Sequence, residues 1–161
     1  MTKYPINYHL GTVFCVPLRN DKYARGIVAR MDGRGMIFGY FWGPSLKIIP
    51  DHVDESDLKI ESAVLAGIFS GMGLSQDEWP QLGSVKPFHQ EDWPMPILIN
   101  TEDDSDRVEL VEYDEDTLEE ETIKLTTRDK VDINAYPEDG LMGSGYVEEV
   151  LTMLLEPGNS T

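Results

Sequence analysis

At 161 residues the chain suits one domain that buries about two-thirds of the surface its unfolded form would expose, and 40% hydrophobic content with three tryptophans excludes a disordered chain. Thirty acids against 13 bases give a net charge of −17 and a pI near 4.3, a surface that repels nucleic acid and anionic membrane and attracts basic partners. One cysteine leaves no internal disulfide, no window reaches the about 20 apolar residues of a membrane span, and MTKYPINYHLG lacks the apolar stretch of a secretory signal. The expectation is a single soluble, cytoplasmic domain over 1–161, with 156–161 as a flexible tail.

The charge is unevenly placed. Residues 1–50 carry seven bases and two acids (Asp21 and Asp32), so the remainder is strongly acidic.

In chain order, TVFCVPL (12–18) is rich in β-branched and aromatic residues and reads as a strand. The turn-like RNDK (19–22) leads to YARGIVARM (23–31), which alternates as a second strand. DGRG (32–35) contains an Asp-Gly pair, a hairpin signal because glycine tolerates the positive φ of tight turns. MIFGYFWGP (36–44) is a third strand, so the first part of the chain predicts an antiparallel meander, or half of a small, partly open barrel. SAVLAGIFS (62–70) is too short for periodicity to separate helix from buried strand, although Gly67 counts against a helix. LSQDEWPQLG (74–83) reads as a helical turn stopped by Pro80, and PFHQEDWPMPILIN (87–100) as a surface-hugging segment before a short strand at 97–99. VELVEY (108–113) and ETIKLTT (121–127) predict a strand pair around DEDTLEE. Val147, Val150, Leu151 and Leu154 fall on one face of a closing helix.

Four features invite a chemical reading. The first is YPEDGLMGSGYVEEVLTMLL (136–155), where Gly140, Gly143 and Gly145 precede a helix as phosphate-cradling glycines do. The order here is G-x-x-G-x-G without a lysine, and Glu138, Asp139, Glu148 and Glu149 would repel a phosphate. The glycines therefore read as a turn into the helix, with Ser144 or Gly145 as N-cap and the glutamates complementing its dipole.

The second is an acidic belt. Between Glu102 and Glu121 there are twelve acids and one base, Arg107, without the central glycine of a calcium loop. Crowded like charge destabilises a fold unless something compensates it, which makes the belt a candidate partner surface: Asp103, Asp104, Asp106, Asp114, Glu115, Asp116, Glu119, Glu120 and Glu121.

The third is His52 within DHVDESD (51–57). It has no HExxH-type spacing, and His9 and His89 are distant, so it reads as a polar loop. The fourth is Cys15, which sits in an apolar strand as a small core residue with no base marked for it. No catalytic residue, cofactor site or metal site is assigned.

The stripe Phe38, Tyr40, Phe41, Trp42 has two uses. Together with Arg25, Arg30 and Arg34 it could stack nucleic-acid bases, or it fills the core on one side of a sheet, the reading the net charge favours.

The succession GTVFCVPLRNDKYARGIVAR, AVLAGIFS, EWPQLGSV, DWPMP, VEYDEDTLEE and PEDGLMGSGYVE, over about residues 11–151, resembles the immunity protein 26 family of bacterial toxin–immunity systems. The resemblance implies a small, non-enzymatic cytoplasmic protein that binds and blocks a cognate toxin domain, and it favours strand over helix for AVLAGIFS. It supplies no catalytic motif and assigns no toxin contacts. The expected architecture is α+β and mostly β: an N-terminal antiparallel meander, further strands and a short C-terminal helix. The expected function is stoichiometric inhibition of a basic, nuclease-like toxin, with no membrane partner. A small nucleic-acid-binding β module and an enzyme of unassigned class are the alternatives, and the oligomeric state is open.

Overall fold

A computed structural model describes residues 5–156. Five strands form one antiparallel sheet: β1 (Thr12–Pro17), β2 (Tyr23–Met31), β3 (Met36–Leu46), β4 (Leu65–Ser70) and β5 (Gln81–Ser84), in the order β4-β3-β2-β1-β5. A second sheet, β6-β7-β8, is built from β6 (Leu98–Thr101), β7 (Arg107–Tyr113) and β8 (Glu120–Thr127). One helical turn, α1 (Met72–Ser75), and the closing helix α2 (Ser144–Leu155) complete the elements that matter here. The expected mostly-β α+β meander is thus present, as two open sheets rather than a barrel.

The five-stranded sheet is buried on both faces. On one face Val13, Ile27, Phe38, Tyr40, Trp42 and Ile68 pack against Trp93, Leu98, Val111, Tyr113 and Leu118, which belong to the second sheet and its connections. On the other, Phe14, Val16, Val28, Ile37, Phe41 and Phe69 pack against Tyr8, Leu74, Trp79 and the helix residues Val147 and Leu151. The molecule therefore has three layers: small sheet, large sheet, helix. This explains why β1, β3 and β4 read as nearly continuous apolar runs with little alternation, as strands covered on both sides do. The aromatic stripe serves both faces rather than one, because Phe38, Tyr40 and Trp42 point to the small sheet and Phe41 to the helix side.

Local chemistry places the turns. Asp32 Oδ1 accepts from the N–H groups of Arg34 and Met36, at 2.7 and 3.0 Å, and closes the β2–β3 hairpin, with Gly33 at φ +76° and Gly35 at φ +117°. β3 continues two residues past the expected Gly43-Pro44 end.

Four expectations need correction. The sequence QLGS, read as the end of a helical turn, is the edge strand β5, paired with β1. The segment 87–100 does not merely follow the surface: Trp93 is buried, packed edge-on to Trp42 with ring centroids 5.6 Å apart. Helix α2 buries Val147, Leu151 and Thr152, and turns Leu155 rather than Leu154 toward the core, so Leu154 is exposed. Its N-cap is Gly143, with no side-chain capping bond, rather than Ser144 or Gly145. Of the expected 156–161 tail, residues 157–161 lie outside the described residues, as do residues 1–4 of the opening stretch.

The chain between α2 and the second sheet forms a strap. At Ile99 it pairs with β6 through Glu138 (Ile99 N–H to Pro137 C=O and Asp139 N–H to Ile99 C=O, each 2.9 Å). Four residues later it pairs with β4 through Met142, which bonds Ile68 and Ser70. The PEDGLM segment thus joins the edges of both sheets, with Gly140 at φ +131° making the step between them.

Candidate partner-binding site

The acidic belt is not continuous in space. β7 runs through its middle and separates it into two poles about 20 Å apart, the length of a seven-residue strand. Asp103, Asp104 and Asp106 lie in the β6–β7 connection. Asp114, Glu115, Asp116 and Glu119 lie in the β7–β8 turn at the other end, with Glu120 and Glu121 opening β8.

The two poles differ in compensation. At the first, Arg128 bonds the chain itself: Nε to the Ser105 carbonyl at 2.7 Å and Nη2 to the Glu102 carbonyl at 2.8 Å. Arg107 adds a second cation, bound to Glu109 at 3.0 Å. The second pole is held by its own turn and tied to the core at two points. Asp114 Oδ1 accepts from the N–H groups of Asp116 and Thr117, both at 2.8 Å, which holds its carboxyl below the ordinary carboxylate range. Leu118, at φ +55°, drops its side chain into the core beneath the turn. Glu115 reaches the buried Arg30 of β2 at 2.7 Å.

Asp114 and Glu115 are therefore engaged in the fold, although they are exposed like Asp116, Glu119, Glu120 and Glu121. Glu112, Tyr113, Asp114, Glu119, Glu120 and Glu121 line a groove of about 440 Å³ whose walls carry five carboxylates. Packing like charges this closely raises the local negative potential and focuses it outward, the arrangement that draws in a cationic surface.

At the inner end of the groove the Tyr113 hydroxyl lies 2.5 Å from Asp139 Oδ1 and 3.2 Å from Glu120 Oε2. Burial, followed by the hydrogen bond to Asp139, pushes the phenol pKa far up, so it stays a donor at every ordinary pH. Asn100 Nδ2 donates to the other Asp139 oxygen at 2.7 Å. Sequence reasoning missed this junction, since Asn100, Tyr113 and Asp139 meet only through folding. The signal for Leu118 was visible: one aliphatic residue inside DEDTLEEE.

The other candidates resolve into structure. Phe38, Tyr40, Phe41 and Trp42 are buried, and Arg25 is held by Asp57 at 3.2 Å as Arg30 is by Glu115, so of the basic residues once placed beside the aromatics only Arg34 is exposed. In DHVDESD, His52 pairs with Asp51 at 2.7 Å on the surface and Asp54 caps the following turn through Ser56. Burial pushes the Cys15 thiol up to about 11, with Arg25 opposing weakly, which leaves it an inert core residue. Near the glycine loop, Glu148 accepts from Trp79 Nε1 at 2.9 Å and pairs with Arg19 at 3.6 Å, tying α2 to the sheet. Among the described residues no group of three or more His, Cys, Asp or Glu is placed to hold a metal, and no helix is long and apolar enough to cross a membrane.

Neither a curated protein nor a solved structure matches the chain. The family model described as Immunity protein 26 matches residues 9–107, which contain all five strands of the large sheet and β6; the match stops where β7 begins, short of the span over which the sequence alone shows the resemblance. With well over half of the chain matched, and with the meander and its buried aromatic core in place, the protein belongs to the Immunity protein 26 family.

Proposed function

We propose that this protein neutralises a cognate bacterial toxin domain in the cytoplasm by stoichiometric binding, and that the toxin presents a basic, nuclease-like surface to the groove at the β7–β8 turn. Family membership supports the immunity role. The observation that carries the charge assignment is the groove itself, with five carboxylates on its walls and no cation among its lining residues. Complementary potential raises association rates by roughly 10 to 10³-fold, and speed serves an antidote that must act before the toxin does. The role is inhibition by occupancy, with no chemical step of its own.

The experiment is a pair of measurements on a candidate toxin domain, taken from an open reading frame beside this gene. Co-expression rescues cells from that domain. Stopped-flow association is fast at low salt and slows as salt rises. Reversing Asp116, Glu119 and Glu121 to lysine, which spares the turn-forming Asp114 and the tethering Glu115, lowers the association rate at least tenfold and flattens its salt dependence. An unchanged rate in that triple variant removes the groove from recognition.

A further inference from the structure

The acidic groove does not end at Tyr113. Asp139, which accepts the Tyr113 hydrogen bond, is also a wall of a larger cleft of about 790 Å³, bounded by residues 60–66 ahead of and entering β4, by the strap and by the first turns of α2. The cleft has a different chemistry. Val64, Leu141 and Tyr146 stand at its mouth with relative exposures of 39%, 60% and 53%, while Glu138 and Asp139 supply charge on the strap side. Large apolar side chains left this exposed around a concavity are the usual mark of a binding site. The main chain adds polarity: Met142 bonds the outward C=O of Ile68 and N–H of Ser70, so by strand alternation the N–H and C=O of Ala66 also face out of the sheet, beside the cleft that Ala66 lines.

Groove and cleft thus adjoin across the Tyr113–Asp139 hydrogen bond, Tyr113 lining the groove and Asp139 the cleft, so that an acidic site and an apolar one lie side by side. We infer that the toxin segment bound here is bipartite, with basic side chains in the groove and an aliphatic or aromatic side chain anchored in the cleft across the Tyr113–Asp139 junction. Charge complementarity selects the basic half, and continuity with the groove selects this cleft for the apolar half. The inference rests on the immunity reading above and assigns a separate task to each end. The groove governs encounter. The cleft governs residence, because a desolvated apolar anchor acts on the rate of escape.

The test uses the full-length protein and the same candidate toxin domain, followed by surface plasmon resonance. Leu141→Asp and Tyr146→Glu change exposed side chains, and unchanged thermal unfolding verifies that each variant is folded. Each is expected to raise the dissociation rate about tenfold or more while leaving the association rate within about twofold. The Asp116, Glu119, Glu121 lysine variant shows the opposite division. A cross-check is hydrogen exchange at the Ala66 amide, which slows in the complex. Tight binding by wild type, with dissociation unchanged in both cleft variants and no protection at Ala66, overturns the bipartite footprint while leaving the immunity role intact. Failure of the wild-type protein to bind that toxin domain overturns both.

Discussion

The two sheets are made of the same kind of element and do different work. The large sheet is covered on both faces, and of its strand residues Phe14, Ile27, Phe38, Phe41 and Phe69 have no exposed surface at all. The small sheet is covered against the large one by Val111 and Tyr113 and on its other face by a thin layer that includes Val131, Ile133 and Tyr136. Its outer strand β8 is exposed over six consecutive residues. The family match contains all of the first and only the beginning of the second. A doubly buried sheet constrains nearly every side chain along it. A sheet with one free edge constrains few, and its turns are at liberty to carry charge. The separation between a doubly buried layer and a more exposed, charge-carrying layer is the lesson, and it can be broken in several ways.

The largest effect is expected at Trp42, which is buried between Trp93 and Tyr40 and donates its indole N–H to the Lys59 carbonyl at 2.6 Å. Trp42→Ala is expected to cost roughly 3–5 kcal/mol in urea unfolding. A second strong effect follows at Gly39, where an added Cβ would lie 2.3 Å from the Ile27 carbonyl oxygen, a backbone atom that cannot step aside. Gly39→Ala should therefore destabilise by about 1–3 kcal/mol or more, the cost of overpacking. Less is expected from Glu115→Gln, which leaves the buried Arg30 guanidinium bonded to the Ala29 and Gln90 carbonyls without its counter-charge. A loss of about 0.5–1 kcal/mol, measured the same way, would show that the two layers are coupled through this half-exposed tether.

Alkaline pH provides a milder probe that touches both layers. Burial, helped by Asp32, raises the Tyr8 phenol to about 12, and burial with the Asp139 bond raises Tyr113 further. A phenol whose folded pKa lies above its unfolded value of about 10 favours the fold fully below that value. Its contribution is lost as pH rises from there through the folded pKa. Stability should be flat from neutrality to about pH 8.5, decline as the Cys15 thiol, raised to about 11 by burial, comes into play, and fall more steeply above about pH 10, where Tyr8→Phe should make the fall less steep.

The smallest effects belong to β8. Ile123→Thr and Leu125→Thr, at positions 42% and 59% exposed, are expected to shift unfolding by no more than about 0.5 kcal/mol. A cost like that of Gly39→Ala would collapse the distinction between the layers.

What the sequence disclosed follows the same division. β1, β2 and β3 were legible because each is an apolar, β-branched or aromatic run bounded by polar turns, and the Asp32-Gly33 signal places one hairpin outright. β4 was ambiguous on residues alone because burial on both faces erases alternation, the very cue that would separate strand from helix. β5 was misread because Gln81–Ser84 is short, contains glycine and becomes a strand only by pairing with β1, far back in the chain. The acidic residues were seen, but as one belt, since a linear count does not register that β7 carries half of them to the other end of a sheet. Glu115 looked like its neighbours in composition and differs from them only because Arg30, buried in another strand, lies within reach. The apolar cleft was hidden altogether, as Val64, Leu141 and Tyr146 come from separate regions and each alone is an ordinary surface residue.

The strap from Pro137 to Met142 has one further consequence. β4 and β6 are both edge strands, and an uncovered edge is a template on which another copy of the chain can add a strand. The strap occupies one register position on each, at Ile99 and at Phe69, and the step between them bends through Gly140. Such a short, bent cover obstructs strand addition at these two edges while contributing no flat strand of its own to be copied. A single six-residue segment thereby pairs with two edges at once and leaves less of each open to strand addition by a second copy.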